Sequence, residues 1–360
     1  MKSSLQHKYH IILLVLAVCA PNLFAQVPTV ATPGPNGGIV TVVRGTANDS
    51  IILIGTRSSG VYRSLNGGAS WAQTTLIASA VNDIVFHPTD IRTVFAATND
   101  GLYQSTDAGL SWSLTLLTTP ISSLAIYPSN PSRMFAGDGR PKAQSRGILR
   151  TLDGGATWTQ VVSGLAGNLS ITSLAIDAAS SPTGIDVYAG TEDAGVYRTG
   201  NTGNTWSAFS TGLPGGPGLR IHSLSIAQTI VLTAGTSSGQ FFGITGTQPQ
   251  WSQLSNWIAD PVAQSSAIVV QPGQIPPVTF YVGTKGNEES KPPSAVKGGL
   301  YRSTDLGVTW TPLFTKVLDV NSVFVPAYNT QKIYIATSDG MYVSTDGGNN
   351  WARQNLGLLN

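Results

Sequence analysis

Ser105-Thr106-Asp107-Ala108-Gly109-Leu110-Ser111-Trp112 reads as a tight hairpin turn followed by an anchoring aromatic residue. An Asp in the third place accepts backbone N–H bonds inside the turn, a Gly in the fifth supplies the positive φ, and the Trp packs under the neighbouring hairpin. The pattern Ser/Thr-x-Asp/Asn-x-Gly-x-x-Trp returns with Asn66 and Trp71, Asp153 and Trp158, Asn201 and Trp206, Asp305 and Trp310, and Asp346 and Trp351 in its third and eighth places. A degenerate seventh copy ends at Trp251. The seven tryptophans stand 41, 46, 48, 45, 59 and 41 residues apart, the period of one four-stranded propeller blade. Because each carboxylate or amide is engaged by backbone donors, these Asp, Asn and Trp residues are assigned structural roles rather than ligand contacts.

Outward from each turn, period-two alternation marks the remaining strands. Innermost strands are read at Val81–Phe86, Ile121–Ile126, Ile171–Ile176, Ile221–Ile226 and Val320–Val325, second strands at Val94–Thr98 and Ile333–Thr337, and third strands at Gly60–Ser64 and Gly101–Ser105. The fold class is therefore all-β: a seven-bladed β-propeller of four-stranded antiparallel blades. Residues 26–360 form one domain, with blades at about 38–77, 78–117, 118–164, 165–213, 214–255, 256–315 and 316–357. Composition agrees, since 41% of the 360 residues are hydrophobic, only 11% are charged, and 40 Gly and 21 Pro supply turns. Disorder is excluded, and a sizeable core is required.

The N-terminus carries Lys2 and Lys8, the apolar run Ile11–Ala20, and Leu23-Phe24-Ala25, which reads as a secretory signal peptide over residues 1–25. The run is shorter than the roughly 20 residues of a membrane helix, so an exported protein, periplasmic or extracellular, is expected. Lipid anchoring at Cys19 is the less favoured reading, because Val18 stands where a small residue is needed. Cys19 is the single cysteine, so the mature chain holds no disulfide. Losing Lys2 and Lys8 leaves 18 basic residues against 18 acids, which provides no global field for nucleic acid. Beyond the signal the chain keeps only His87 and His222 and no cysteine, so no metal site, no cofactor and no catalytic triad is expected. The protein is read as a monomer.

The repeated turn resembles the Asp-box, or BNR, repeat of sialidases, sortilin-type receptors, xyloglucan-hydrolysing glucanases and the photosystem II stability/assembly factor. The resemblance covers about residues 38 to 355, and its one-domain, exported form is most similar to the assembly-factor type, which implies a non-enzymatic binding scaffold. A carbohydrate-active enzyme, a glycoside hydrolase of xyloglucanase or sialidase type, is the alternative. Sialidases similar in their turns carry an Arg-Ile-Pro-like motif, of which Arg140-Pro141 is only a fragment. Glucanases of this kind place a catalytic Asp where Ile54-Gly-Thr-Arg57-Ser-Ser-Gly60-Val-Tyr62-Arg63 has Arg57. The adjacent acid pairs Glu192-Asp193 and Glu288-Glu289 read as solvated loop tips rather than a catalytic pair, since glycoside hydrolysis needs two carboxyls facing each other across a cleft.

In a propeller, the loops joining second to third strands and those joining successive blades share the face opposite the repeated turns, and binding is expected there. Two such loops are long: one carries Arg140, Lys142 and Arg146, the other Glu288 and Glu289. The basic loop is expected to contact an acidic partner. Aligned innermost strands place Thr41, Asp83, Ser123, Ser173, Ser223, Ser266 and Ser322 at one position, six hydroxyls and a carboxylate. Asp83 should bond Thr41 or Ser123 and, with Asn82 and His222, form the polar floor of a central pocket. Protein or glycan is the expected partner; Arg57, Glu192 and Asp193 complete the binding candidates.

Overall fold

The computed structural model describes residues 38–358 apart from 78–79, 116, 181–183, 215–218, 228–230, 247–249, 254–264, 271–278, 286–297 and 317. The expected signal peptide with Cys19, and Glu288 and Glu289, lie outside the described residues. Blade 1 consists of β1 (Val40–Gly45), β2 (Ile52–Thr56), β3 (Val61–Ser64) and β4 (Ala72–Gln73), antiparallel and paired in chain order. Six further sheets repeat this plan, so the expected all-β seven-bladed propeller is the observed fold. Their innermost strands are β5 (Val81–Phe86), β9 (Ile121–Ile126), β13 (Ile171–Ile176), β17 (Ile221–Ala227), β21 (Ser265–Val270) and β25 (Val320–Phe324). With β1 these touch one another in a closed circle. Among the described residues no helix is long and apolar enough to cross a membrane.

Burial follows radial position. Second strands such as β2, Val94–Thr98 (β6) and Val187–Thr191 (β14) are buried at all five residues, because each packs against a blade on both faces. Six outermost strands are two residues long and largely exposed, and that of blade 6 has four residues, so little open edge is left. Close approach between blades selects glycine: a Cβ on Gly55 would meet Val81 at 2.5 Å, and one on Gly190 would meet Ile221 at 2.6 Å.

Each repeated turn is closed by the same bonds. Ser105 Oγ donates to Asp107 Oδ1 (2.8 Å) and accepts the buried Gly109 N–H (2.8 Å), while Asp107 Oδ1 accepts the Ser111 N–H (2.8 Å) and Oδ2 the Ser111 hydroxyl. Asn66 and Asn201 replace the acid by reversing one bond, their Nδ2 donating to the hydroxyls of Ser70 and Thr205, both at 2.8 Å. Hydroxyl hydrogen bonds from Thr157 and Thr309 lead the causes that hold the Asp153 and Asp305 carboxyls down at about 2.

The ring closes without a shared strand, since blades 1 and 7 are each built from their own segment. Trp71 reaches back, its Nε1–H donating to Gln354 O (2.8 Å) and its backbone N–H to Leu356 O (2.9 Å). Lys332 pairs with Asp49 at 2.6 Å, and Val40, Ile54 and Tyr62 share one buried cluster with Tyr334, Met341 and Leu358. Apolar contact is thus the main closure.

Candidate functional site

Every innermost strand slips its register after its first residue: Val40 pairs with Thr56 and Val42 with Gly55, Val81 with Thr98 and Asp83 with Ala97, and so on round the ring. In five blades the bulged second residue turns to the next blade and donates to the carbonyl of that blade's first residue. Thr41 bonds Val81 O (2.6 Å), Asn82 bonds Ile121 O (2.8 Å), Ser122 bonds Ile171 O (2.5 Å), Thr172 bonds Ile221 O (2.6 Å) and Asn321 bonds Val40 O (2.9 Å). In blades 3 and 4 the third residue accepts from the fourth residue of the next blade, Ser123 Oγ from Leu174 N–H (3.1 Å) and Ser173 Oγ from Leu224 N–H (3.0 Å), whereas the buried Ser223 Oγ of blade 5 has no partner among the described residues. The residues making these bonds line a central cavity of about 180 Å³.

The bulge corrects the expected alignment. Thr41 belongs with Asn82 and Ser122, and Ser266 with His222, each one place earlier than read; the residues equivalent to Asp83 are Val42, Ser123, Ser173, Ser223, Ala267 and Ser322. Four hydroxyls, two apolar residues and one acid share the position. Ser123 stands near the Asp83 carboxylate and favours its charged form, while Thr41 is turned to Val81.

The acid follows from its neighbour. Val42 offers no acceptor to the Ile84 N–H, and Asp83 Oδ1 takes that bond instead at 3.0 Å, while Oδ2 accepts the Leu124 N–H of the next blade at 3.3 Å. A carboxylate has two oxygens where serine has one. Burial pushes the Asp83 carboxyl up, opposed by Arg44, whose guanidinium stands 3.3 Å away and also bonds Ser322 Oγ at 3.0 Å. Arg44 was not anticipated, although Arg44, Asp83 and His222 are the ionisable residues on the seven innermost strands.

Above the cavity the channel opens into a mouth of about 330 Å³. Its charged lining comes from one structural position repeated on different blades. Second strands end in Thr56, Thr191 and Thr284, whose hydroxyls bond the Gly that opens the third strand, and the next residues are Arg57, Glu192 and Lys285. Arg57 N–H and Glu192 N–H are tied to Ile39 O and Ser170 O, both at 3.0 Å, which fixes those residues on the rim. Arg220, just before β17, pairs with Glu192 at 2.7 Å. Arg57 and Lys285 have no ion-pair partner among the described residues. His222 sits in the wall, half-buried, its buried Nε2 without a hydrogen-bond partner among the described residues. Burial, then Arg220 and Lys285, lower its pKa to about 4, so it is neutral at pH 7.

The structure therefore gathers Arg57, Asn82, Glu192 and His222 at the mouth with Asp83 beneath, and adds Arg220 and Lys285, which come from separate repeats. The basic loop borders the mouth through Gly139, but the charges of Arg140 and Lys142 are paired elsewhere. Asp138 replaces the strand-ending Thr; its fully buried carboxylate accepts Arg140 Nη2 (2.6 Å), Arg140 N–H (2.9 Å) and Arg146 N–H (2.8 Å). Lys142 pairs with Asp193 at 3.0 Å. Among the described residues no group of three or more His, Cys, Asp or Glu is placed to hold a metal ion. Among the described residues the mouth presents three permanent cations, Arg57, Arg220 and Lys285, against the carboxylate of Glu192, an arrangement suited to holding an anionic group.

The fold and channel define the class, a seven-bladed β-propeller with a polar central channel. Among solved structures, a GH74 xyloglucanase from Xanthomonas campestris is similar over 91% of this chain with a TM-score of 0.72 and 18% identity. The chain spans about half the length of such proteins, 56% of that one and 47% of an ancestral GH74 enzyme. YCF48 bound to D1 peptide is similar over 87% of this chain and 93% of its own, with a TM-score of 0.62 and 14% identity. YCF48 from Cyanidioschyzon merolae matches over 88% and 98%, at 0.58 and 16%. No protein-family profile matches the chain, and no curated protein matches it in sequence.

Proposed function

We propose that this protein is an exported Asp-box propeller that acts as a binding scaffold, holding an acidic segment of a protein partner at the channel mouth. The observation that carries this reading is the excess of Arg57, Arg220 and Lys285 over Glu192 in one concave, rim-fixed site. Two of these cations lack a carboxylate partner among the described residues, so a ligand carboxylate meets charge already in place. The YCF48 structure with a bound peptide supports a protein ligand for this fold. Hydrolysis is the weaker reading despite the GH74 likeness: among the described residues the mouth lining holds one carboxylate, Glu192, and it is bound to Arg220, whereas two facing carboxyls are needed.

A fluorescent Glu-rich peptide, titrated by anisotropy, tests the proposal. Binding should weaken steeply with salt and fall at least tenfold in an Arg57→Ala/Arg220→Ala/Lys285→Ala variant. Preference for a uronic-acid oligosaccharide over the peptide would move the ligand to acidic glycans. Turnover of xyloglucan oligosaccharides would replace the scaffold reading with the enzymatic one.

A further inference from the structure

The junction between blades 2 and 3 differs from its counterparts. At three other junctions the indole of the repeated turn donates to the preceding blade's outermost segment, three residues after that blade's own Trp position. Trp71 Nε1 bonds Gln354 O (2.8 Å), Trp251 Nε1 bonds Phe209 O (2.7 Å) and Trp351 Nε1 bonds Leu313 O (2.8 Å). The corresponding residue for Trp158 is Thr115, yet Trp158 Nε1 is buried with no acceptor among the described residues. Trp206 Nε1 is orphaned too, but that side chain is 4% exposed and sealed edge-on against Phe135. Trp158 is half-buried and borders an open groove of about 340 Å³.

One wall of this groove is a cross-strand row. Phe95 pairs with Gln104 and Gln104 with Ser113 across the second, third and outermost strands of blade 2. Thr106 and Thr115 flank the row, and the other wall is Trp158 with the backbone of Gly154–Ala156. None of the lining side chains is charged. The groove therefore offers hydroxyl and amide groups that both donate and accept, an apolar floor, and the partly exposed ring of Trp158. An acidic ligand finds no cation here and a basic one no carboxylate, whereas a neutral polyhydroxylated ring matches both the hydrogen-bonding groups and the apolar floor. Its volume lies at the lower end of the roughly 300–1,000 Å³ range of small-molecule sites.

We propose that the groove between blades 2 and 3 is a binding site for a neutral saccharide, independent of the channel mouth: a sugar ring sits against the exposed part of Trp158 and against Phe95, and its hydroxyls meet Gln104, Ser113 and Thr115. The experiment is saturation-transfer NMR and calorimetry of the full chain with cellotetraose, mannotetraose and galactotetraose. At least one should bind, with a Kd unchanged by added salt and unchanged in the Arg57→Ala/Arg220→Ala/Lys285→Ala variant. Gln104→Ala/Ser113→Ala, at an exposed edge, should weaken that binding at least tenfold with an unaltered melting temperature. Trp158→Phe, which shortens the aromatic face lining the groove, should weaken it as well. No binding by any of the three, binding indifferent to both groove variants, or binding that is lost with the mouth cations would overturn the assignment.

Discussion

Replacing Asp83 with serine, the residue found at the same position in blades 3, 4, 5 and 7, should destabilise the protein even though it restores the ring's commonest side chain. A serine at 83 can still accept the Leu124 N–H, as Ser123 does for Leu174 and Ser173 for Leu224. What it cannot do is also serve Ile84, a fully buried residue whose N–H now bonds Asp83 Oδ1 at 3.0 Å. A buried donor left without an acceptor costs about 1–3 kcal/mol. Arg44 adds under about 1 kcal/mol, because its side chain is 39% exposed and can turn to water. Val42→Thr alone places an unneeded hydroxyl in a buried site and costs about 1 kcal/mol. In the Asp83→Ser background that hydroxyl gives Ile84 its missing acceptor, so the double variant should recover about 1 kcal/mol relative to the sum of the two. Urea unfolding followed by tryptophan fluorescence measures all four corners of the cycle. Strict additivity, or an Asp83→Ser protein as stable as the parent, would refute the explanation of the acid.

In the repeated turn, Ser105→Ala should cost about 1–3 kcal/mol and Asp107→Ala only about 1 kcal/mol, because Ser105 serves the buried Gly109 N–H while Asp107 serves the exposed Leu110 and Ser111 donors; equal losses in chemical denaturation would deny the distinction. Asp153 and Asp305, held at about 2 in the fold, bind fewer protons there than in the unfolded chain, so their stabilisation is complete above about pH 4 and drains away as pH falls to 2. Asp153→Asn with Asp305→Asn should flatten that slope in melts run across this range. His222, lowered to about 4 chiefly by burial, works in a higher window: the unfolded chain takes up a proton below about 6.5 and the fold does not, so stability declines from pH 6.5 to 4. In His222→Asn this decline should shrink; an unchanged profile would show that His222 titrates freely. Arg140→Ala should cost about 2 kcal/mol by uncovering the buried Asp138 carboxylate while leaving the rate of partner association unchanged.

The blades were legible because the turn and its tryptophan repeat at a fixed period and because alternation marks strands locally. The register of the innermost strands was not. Pairing with the second strand sets Val42 opposite Gly55 as Asp83 is set opposite Ala97, so Val42 and not Thr41 shares the position of Asp83, whereas inspection of polar residues alone favours the hydroxyl. Arg140 and Lys142 looked like free charge because their partners were overlooked: Asp138 two residues before Arg140, and Asp193 on the next blade. Arg220 and Lys285 escaped notice for the opposite reason, since only closure of the ring brings separate repeats to one rim. The readable signal was the residue after each strand-ending Thr, which yields Arg57, Glu192 and Lys285 together.

The central claim is that the channel mouth is a preformed anion-binding site, and the His222 imidazole in its wall reports on it directly. In an NMR titration of the free protein its pKa should lie near 4. Saturation with the Glu-rich peptide should raise it by bringing carboxylates opposite Arg220 and Lys285, and the Arg57→Ala/Arg220→Ala/Lys285→Ala variant should show a raised value already, with no further response to peptide. A peptide that binds the parent and leaves the His222 titration untouched would place binding elsewhere and contradict the account.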